Sequence, residues 1–358
     1  MKLSQFKFDL PEKLIAQHPS KDRDDCKLMV LHTKTNKIEH KKLIDILKYF
    51  DDKDLFVFNN TQVFPALLTG IKEKTEALID VFLLRELNPA TNLWDVLVEP
   101  ARKIRVGNKL YFGDNQNLIA EVIDNTTSRG RTLRFLYDGT HDEFKAALFA
   151  MGRTSLPPYI KRKVDPNDTE MYQTIFASEE GAVVAPFAGL RFSQELMKRL
   201  KIKGIDTGYI TLHCSLSMFR SIDVEDLQKH KLESEQMSVT EEFANTFNQK
   251  IVDKHRVCAV GTSVLRALET ASTIKGKIKE YDGWTNRFIF PPYEFQTVVV
   301  VDIPTALLYY VDEQSGICRL RLPDESIFDR NKQKLQIRLL RRYDADIKVK
   351  NYNEDIIQ

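Results

Sequence analysis

Residues 211–226 read TLHCSLSMFRSIDVED: an apolar run ends at His213, and a serine-rich loop leads on to Arg220. A histidine at a strand end can act as a general base near neutral pH. The plainer alternative is a histidine tied to a nearby backbone carbonyl. A second stretch, RVCAVGTSVLRALET (256–270), reads as strand, turn and helix. Gly261 lets the chain turn sharply, and Thr262 or Ser263 is placed to cap the helix. The first N–H groups of such a helix suit an anion or a polar nucleotide edge, although many βα connections have this form without binding anything. A third stretch, VVAPFAGLRFS (183–193), passes Ala185, Pro186, Gly189 and Arg191 before Ser193. Ser193 is a natural N-cap for the helix that follows, which sets Leu196, Met197 and Leu200 on one face. In KHKLESEQMSV (229–239), His230, Glu233 and Glu235 lie close together. Their spacing matches no standard metal site, so a solvated charged face is the better reading and no metal is expected.

The basic residues are local. LPPYIKRKVDPNDTEMYQTIFA (156–177) sets Lys161, Arg162 and Lys163 ahead of Tyr172, and 330–350 is the most basic stretch. Cations beside aromatic groups suit RNA; an extended connector with a solvated basic face is the alternative. With 358 residues and a formal net charge of +2, the chain has no general basic coat. Any RNA binding should therefore be confined to a patch and sensitive to salt. The four cysteines are scattered and form no CxxC pair, so reduced thiols in a cytoplasmic protein are expected. No apolar run approaches membrane-spanning length, and a monomer is expected.

These motifs need elements to position them. The chain predicts a hairpin over 27–32 and 37–40, a helix near 42–50, and a buried strand LFVFNN at 55–60. From about 63 to 137 short alternating strands recur between turn residues, including Gly107, Gly113 and Gly130, which suggests a small barrel. The helical period then returns. Helices are expected near 142–151, 193–202, 240–254 and 263–274, with strands near 206–213, 256–261 and 297–303. The reading is an α/β (mixed α+β) domain made from 1–62 and 141–358, with a β-barrel domain, 63–140, inserted in it.

Taken in order, FDLPEKLIAQHP, LFVFNNTQVFPALL, LPPYIKR, YQTIFA, VVAPFAGLRFS, TLHCSLSMFR, AVGTSVLRALE and DGWTNRFIFPPYEF resemble the S-adenosylmethionine:tRNA ribosyltransferase-isomerases of queuosine biosynthesis. The resemblance covers roughly 290 residues. It implies an α/β domain interrupted by a barrel, S-adenosylmethionine as co-substrate and a tRNA anticodon stem-loop as partner. It also implies transfer and isomerisation of the ribosyl group onto 7-aminomethyl-7-deazaguanine to give epoxyqueuosine, with adenine and methionine released. Such a reaction needs a base beside the sulfonium, a group that assists adenine departure, and a grip on the RNA loop.

On that basis His213, Arg220 and Glu269 are the catalytic candidates. Ala185, Pro186, Gly189, Arg191, Gly261, Thr262, Ser263, Glu235 and Trp284 are candidates for substrate binding, and Lys161, Arg162 and Lys163 for RNA. Trp284 suits either base stacking or a core position. Polar residues expected in the family are replaced by Asn60, Gln62, Leu67, Phe187 and Arg191, and Ser215 and Ser217 stand where the family has glycines. Arg191 in particular sets a fixed cation where a sulfonium would sit, unless an acid such as Glu269 offsets it. These changes imply a weakened or lost activity. The alternative reading is a relative of the same fold that binds RNA or a nucleotide without this reaction, or acts on another nucleoside.

Overall fold

A computed structural model describes residues 1–6, 10–32, 37–127, 130–215, 218, 221–273, 276–297 and 301–302. Arg220, Ser217, the 330–350 stretch and most of the expected 297–303 strand lie outside these residues.

The chain opens with the expected hairpin, β1 (Lys27–His32) and β2 (Lys37–Lys42), paired antiparallel. The helix expected next is a 3-10 helix, Leu43–Tyr49. It buries Leu43 and Ile46. Strand β3 (Leu55–Asn59) is buried along its whole length, as its unbroken apolar run requires for a central parallel strand. Alternation splits its side chains between two cores. Leu55 and Val57 join the larger apolar cluster, while Phe56 and Phe58 join a second one with Leu43, Ile46 and Phe50.

After the short β4 (Thr61–Val63), six strands follow. They are β5 (Leu67–Lys72), β6 (Leu78–Asn88), β7 (Leu93–Glu99), β8 (Lys109–Phe112), β9 (Leu118–Asp124) and β10 (Gly130–Leu136). They close into a barrel in the order β10-β7-β6-β5-β8-β9. Period-two alternation sends Ile79, Val81 and Leu83 of β6, and Trp94, Val96 and Val98 of β7, inward. The helix α1 (His141–Met151) leaves the barrel through a capping box, with Thr140 and Glu143 satisfying each other's backbone N–H groups.

Beyond α2 (Asp168–Met171), β11 (Glu179–Ala182) pairs in parallel with β4. Helix α3 (Gln194–Ile202) starts at Ser193, whose Oγ accepts the Leu196 N–H at 3.0 Å, as the sequence suggests. Its Leu196 and Leu200 pack on the Phe56/Phe58 side of the sheet.

The remaining elements complete a six-stranded mixed sheet. They are β12 (Asp206–Leu212), β13 (Glu235–Val239), α4 (Glu241–Val252), β14 (Val257–Ala259), α5 (Thr262–Ala271), β15 (Tyr281–Thr285) and β16 (Val301–Asp302). The strand order is β15-β13-β12-β3-β14-β16. The four strands β12, β3, β14 and β16 run parallel, and β13 and β15 run antiparallel to their neighbours. Helix α5 covers one face, where Val264, Leu265, Ala267, Leu268 and Ala271 meet Leu55 and Val57. In open sheets with parallel strands, ligands bind outside the carboxyl ends of the strands. Here those ends belong to β3, β12 and β14.

Candidate active site

Asn59 ends β3, and its side chain organises the edge. Its Oδ1 accepts from the backbone N–H of Leu212 at 3.0 Å and of Thr61 at 3.1 Å. Its Nδ2 donates to the Leu212 carbonyl at 2.9 Å and to Ser263 Oγ at 3.3 Å. One buried amide thus joins the ends of β3 and β12 to the first turn of α5. Asn59 is not among the candidates above, although the polar pair that closes the apolar run LFVFNN signals it.

His213 follows directly after β12. Its N–H donates to the Gln236 carbonyl at 2.9 Å, which continues the β12–β13 ladder by one residue. Its Nδ1 lies 2.8 Å from Thr61 Oγ1. Thr61 is fully buried, so that hydroxyl is a fixed partner. Nδ1 being occupied, Nε2 is the nitrogen left to exchange a proton. Burial lowers the His213 pKa below the ordinary histidine value, and the nearby charges of Glu179 and Glu180 oppose that shift. Burial prevails, so the imidazole is mainly neutral at pH 7 and able to accept a proton.

The ring rests on β11. A Cβ added at Gly181 would lie 2.7 Å from three atoms of the His213 ring. Glycine is therefore needed there for close approach. Gly181→Ala is expected to displace the imidazole and, if the ring takes part in catalysis, to reduce kcat/KM by about tenfold or more, since small misplacements of a reacting group are costly. Steady-state kinetics check this, and a wild-type kcat/KM would deny that the ring position matters.

Gly261 adopts φ +97°, which favours glycine, and it serves as the N-cap of α5 without any side-chain cap. The expected capping by Thr262 or Ser263 does not occur. Thr262 is already the first helical residue, and the Ser263 hydroxyl accepts from Asn59 instead.

Two carboxylates chosen from the sequence lie under this edge rather than on it. Glu235 is 2% exposed and points to the α5 side of the sheet. Its Oε2 meets Arg266 Nη1 at 2.5 Å, and its Oε1 accepts the Ser215 N–H at 2.7 Å. Glu269 is wholly buried. Its Oε2 accepts from Tyr293 Oη at 3.0 Å and the Gln296 N–H at 3.1 Å. Its Oε1 accepts from the Thr297 N–H at 2.9 Å and Thr297 Oγ1 at 2.5 Å. Four donors fill the acceptor sites of one carboxylate. The expected catalytic role for Glu269 gives way to that of a clamp holding 293–297 against α5. Arg287 Nη1 donates to the same Tyr293 hydroxyl at 2.7 Å. Arg266 was not among the candidates, because its pairing with Glu235, 31 residues away, leaves no local pattern, and Arg287 was not among them either.

The 183–193 stretch runs beside the His213 edge, since the N–H groups of Val183 and Val184 both reach the Cys214 carbonyl. Ala185 is buried in the larger core with Phe187 and Leu190. The chain turns after Pro186, whose carbonyl accepts the Gly189 N–H at 2.9 Å. Arg191 is 5% exposed and extends to the N-terminal segment, with Nη1 3.5 Å from Ser20 Oγ. Arg23 donates back to the Leu190 carbonyl, and Ser193 Oγ donates to Asp24. Arg191 is thus a buried cation whose side chain reaches the segment around Ser20.

Cys214 is a poor nucleophile, because burial holds its thiol well above the usual range. Cys26 is likewise pushed up to about 11, chiefly by burial.

The basic triplet divides. Arg162 forms a bidentate pair with the buried Asp168, at 2.6 Å to each oxygen, and also donates to the Gln17 carbonyl. That guanidinium is structural. Lys161 and Lys163 are exposed, with Lys161 2.5 Å from Glu12. An open cavity of about 480 Å³ lies here, lined in part by Ile15, Gln17, Tyr159 and Lys161. Trp284 is not a core residue. It is 47% exposed on the edge strand β15. Among the described residues no cluster of three or more acidic, histidine or cysteine side chains could hold a metal ion, and no helix is long and apolar enough to cross a membrane.

A family model described as queuosine biosynthesis protein matches residues 3–302, most of the chain. The chain belongs to that family. It is 66% identical over 296 residues to the S-adenosylmethionine:tRNA ribosyltransferase-isomerase of Bacteroides fragilis, covering 82% of this chain and 84% of that protein. The protein of the same name from Flavobacterium psychrophilum is 53% identical over 336 residues, covering 93% and 96%. Among solved structures, an S-adenosylmethionine tRNA ribosyltransferase from Thermotoga maritima is 28% identical, with 84% of this chain and 83% of that one covered and a TM-score of 0.42.

Proposed function

We propose that this queuosine biosynthesis family member is an S-adenosylmethionine:tRNA ribosyltransferase-isomerase. It moves the ribosyl group of S-adenosylmethionine to the aminomethyl base of a tRNA anticodon loop and isomerises it to epoxyqueuosine. The observation that carries the reading for this chain is the His213 arrangement. A neutral imidazole, fixed at Nδ1 by Thr61 Oγ1, stands at the carboxyl edge of the sheet with the charges of Glu179 and Glu180 nearby. The sulfonium acidifies the adjacent ribosyl carbon, and a neutral imidazole can accept that proton. Negative charge around the imidazole favours a cationic substrate.

The same reading includes a cytoplasmic monomer and no metal. It also treats residues 63–140 as an inserted domain within an α/β domain formed by 1–62 and 141–358; every barrel strand falls between Leu67 and Leu136, which supports that division. Lys161 and Lys163 are its exposed cations for RNA, so stem-loop affinity should fall as salt rises.

Adenine release from S-adenosylmethionine, with an anticodon stem-loop bearing 7-aminomethyl-7-deazaguanine, tests the proposal. Release of adenine and methionine together with conversion of the base is expected. Stem-loop binding without adenine release would favour the non-catalytic RNA-binding relative, for which the replaced polar positions speak.

A further inference from the structure

The sheet has one face that α5 covers and, across β12, β13 and β15, a second face that differs in character. On the α5 side lie Glu235, Met237, Val239 and Thr285, all buried. On the other side, Gln236, Asp282 and Trp284 are exposed and Ser238 is partly so. The register sets Gln236 opposite Trp284. The His213 N–H bond to the Gln236 carbonyl sets His213 in the same row. Directly opposed residues in antiparallel strands project to one face, so His213, Gln236 and Trp284 form a line across it. Two strand spacings separate its ends, roughly 10 Å.

The outer end of that line is built for stacking. The Arg85 guanidinium, from β6 of the barrel, lies 5.3 Å from the centroid of the Trp284 ring. Even with that partner, Trp284 stays 47% exposed, and the Arg85 side chain is 50% exposed. Asp95 lies 3.6 Å from Arg85 Nε, and Asp282 shares the exposed face with Trp284. These carboxylates disfavour a phosphate at this spot, whereas the flat face of a nucleobase meets no such penalty. Base stacking on an exposed aromatic ring tolerates any base and is strengthened by an arginine over the ring.

We infer that Trp284, with Arg85, is a stacking platform for an unpaired loop base of the tRNA substrate, next to the base that enters at His213. The inference rests on the proposed function and adds a specific RNA contact to it. The platform belongs to the barrel and the sheet together, so it also sets the RNA across their junction.

Kinetics with the modified stem-loop and the full-length protein test it. Trp284→Ala should raise KM for the stem-loop by roughly tenfold or more, the effect of losing one base–aromatic stack. KM for S-adenosylmethionine should stay within twofold of wild type. Trp284→Phe, which keeps an aromatic face, should recover most of the loss. The chain has two tryptophans, and Trp94 is only 2% exposed inside the barrel. Acrylamide quenching therefore reports mainly on Trp284, and saturating stem-loop should protect it. An unchanged stem-loop KM in Trp284→Ala, or quenching unaffected by saturating RNA, overturns the platform while leaving the enzyme assignment intact. If the wild type releases no adenine, the enzyme assignment fails, and the quenching titration still decides whether Trp284 meets RNA.

Discussion

His213→Ala is expected to lower kcat/KM for adenine release by about 10²–10⁴-fold, the usual contribution of a positioned general base. The fold should survive, because the ring lies at the edge of the sheet and the variant loses one side-chain hydrogen bond, to Thr61 Oγ1. Such a bond is worth about 1 kcal/mol. A pH profile makes the test specific. Burial depresses the His213 pKa, so the base form persists below pH 6.5, and wild-type activity should fall only as pH drops through that lowered value. The same direction holds for stability: the unfolded chain binds this proton more readily, so His213 favours the folded state above its unfolded pKa and that contribution is lost as pH falls. In His213→Ala the acid limb attributable to this group should vanish. Activity that is unchanged, or an acid limb that is the same in both proteins, would reject His213 as the base.

Glu269→Ala should destabilise the protein by about 3 kcal/mol, since each neutral donor left without its acceptor costs about 1–3 kcal/mol when buried and less where water can reach it. The loss strands the Thr297 N–H and Oγ1 in a buried place and leaves Tyr293 Oη and the Gln296 N–H, whose bonds to it are only part-buried, without their acceptor. Unfolding in urea measures it. Glu269→Gln separates the clamp from a catalytic role. An amide keeps the volume but turns an NH₂ towards two of those donors, so it too should lose stability, by about 1–3 kcal/mol. Were Glu269→Gln as stable as wild type but inactive, the carboxylate would be acting on substrate, as the bare sequence suggests. Loss of stability with partial activity supports the clamp.

Much of the fold was legible because it is written in local periods. The alternation in ALIDVFLLREL and LWDVLVEP matches β6 and β7, and the apolar run LFVFN matches the fully buried β3. Ser193 caps α3 as its position implies, since capping depends on residues only three apart. The helix expected near 42–50 is present but winds as a 3-10 helix, a distinction its apolar spacing does not carry. The family was legible for another reason: eight short motifs in a fixed order say more than any one of them.

Residue roles were less legible, because they depend on partners distant in the chain. His213 reads from its neighbours alone as either a base or a structural histidine. Thr61, 152 residues away, and Gly181 beneath the ring decide its burial and leave Nε2 available. Glu235, Glu269 and Arg162 looked like surface or site charges when read with their neighbours. Arg266, the donors at 293–297, and Asp168 respectively turn them into structural pairs. Trp284 had even claims to core and surface until sheet order made β15 an edge strand. The amino-acid sequence by itself determined the barrel, the longer helices, the central strands and the family, because local periodicity and motif order are properties of the chain, whereas the short β4 and β11 and the strands β13 and β15 had no such signal. Only the tertiary structure decided which polar groups are spent on one another, because a hydrogen bond such as that between Thr61 and His213, 152 positions apart, has no trace in either neighbourhood.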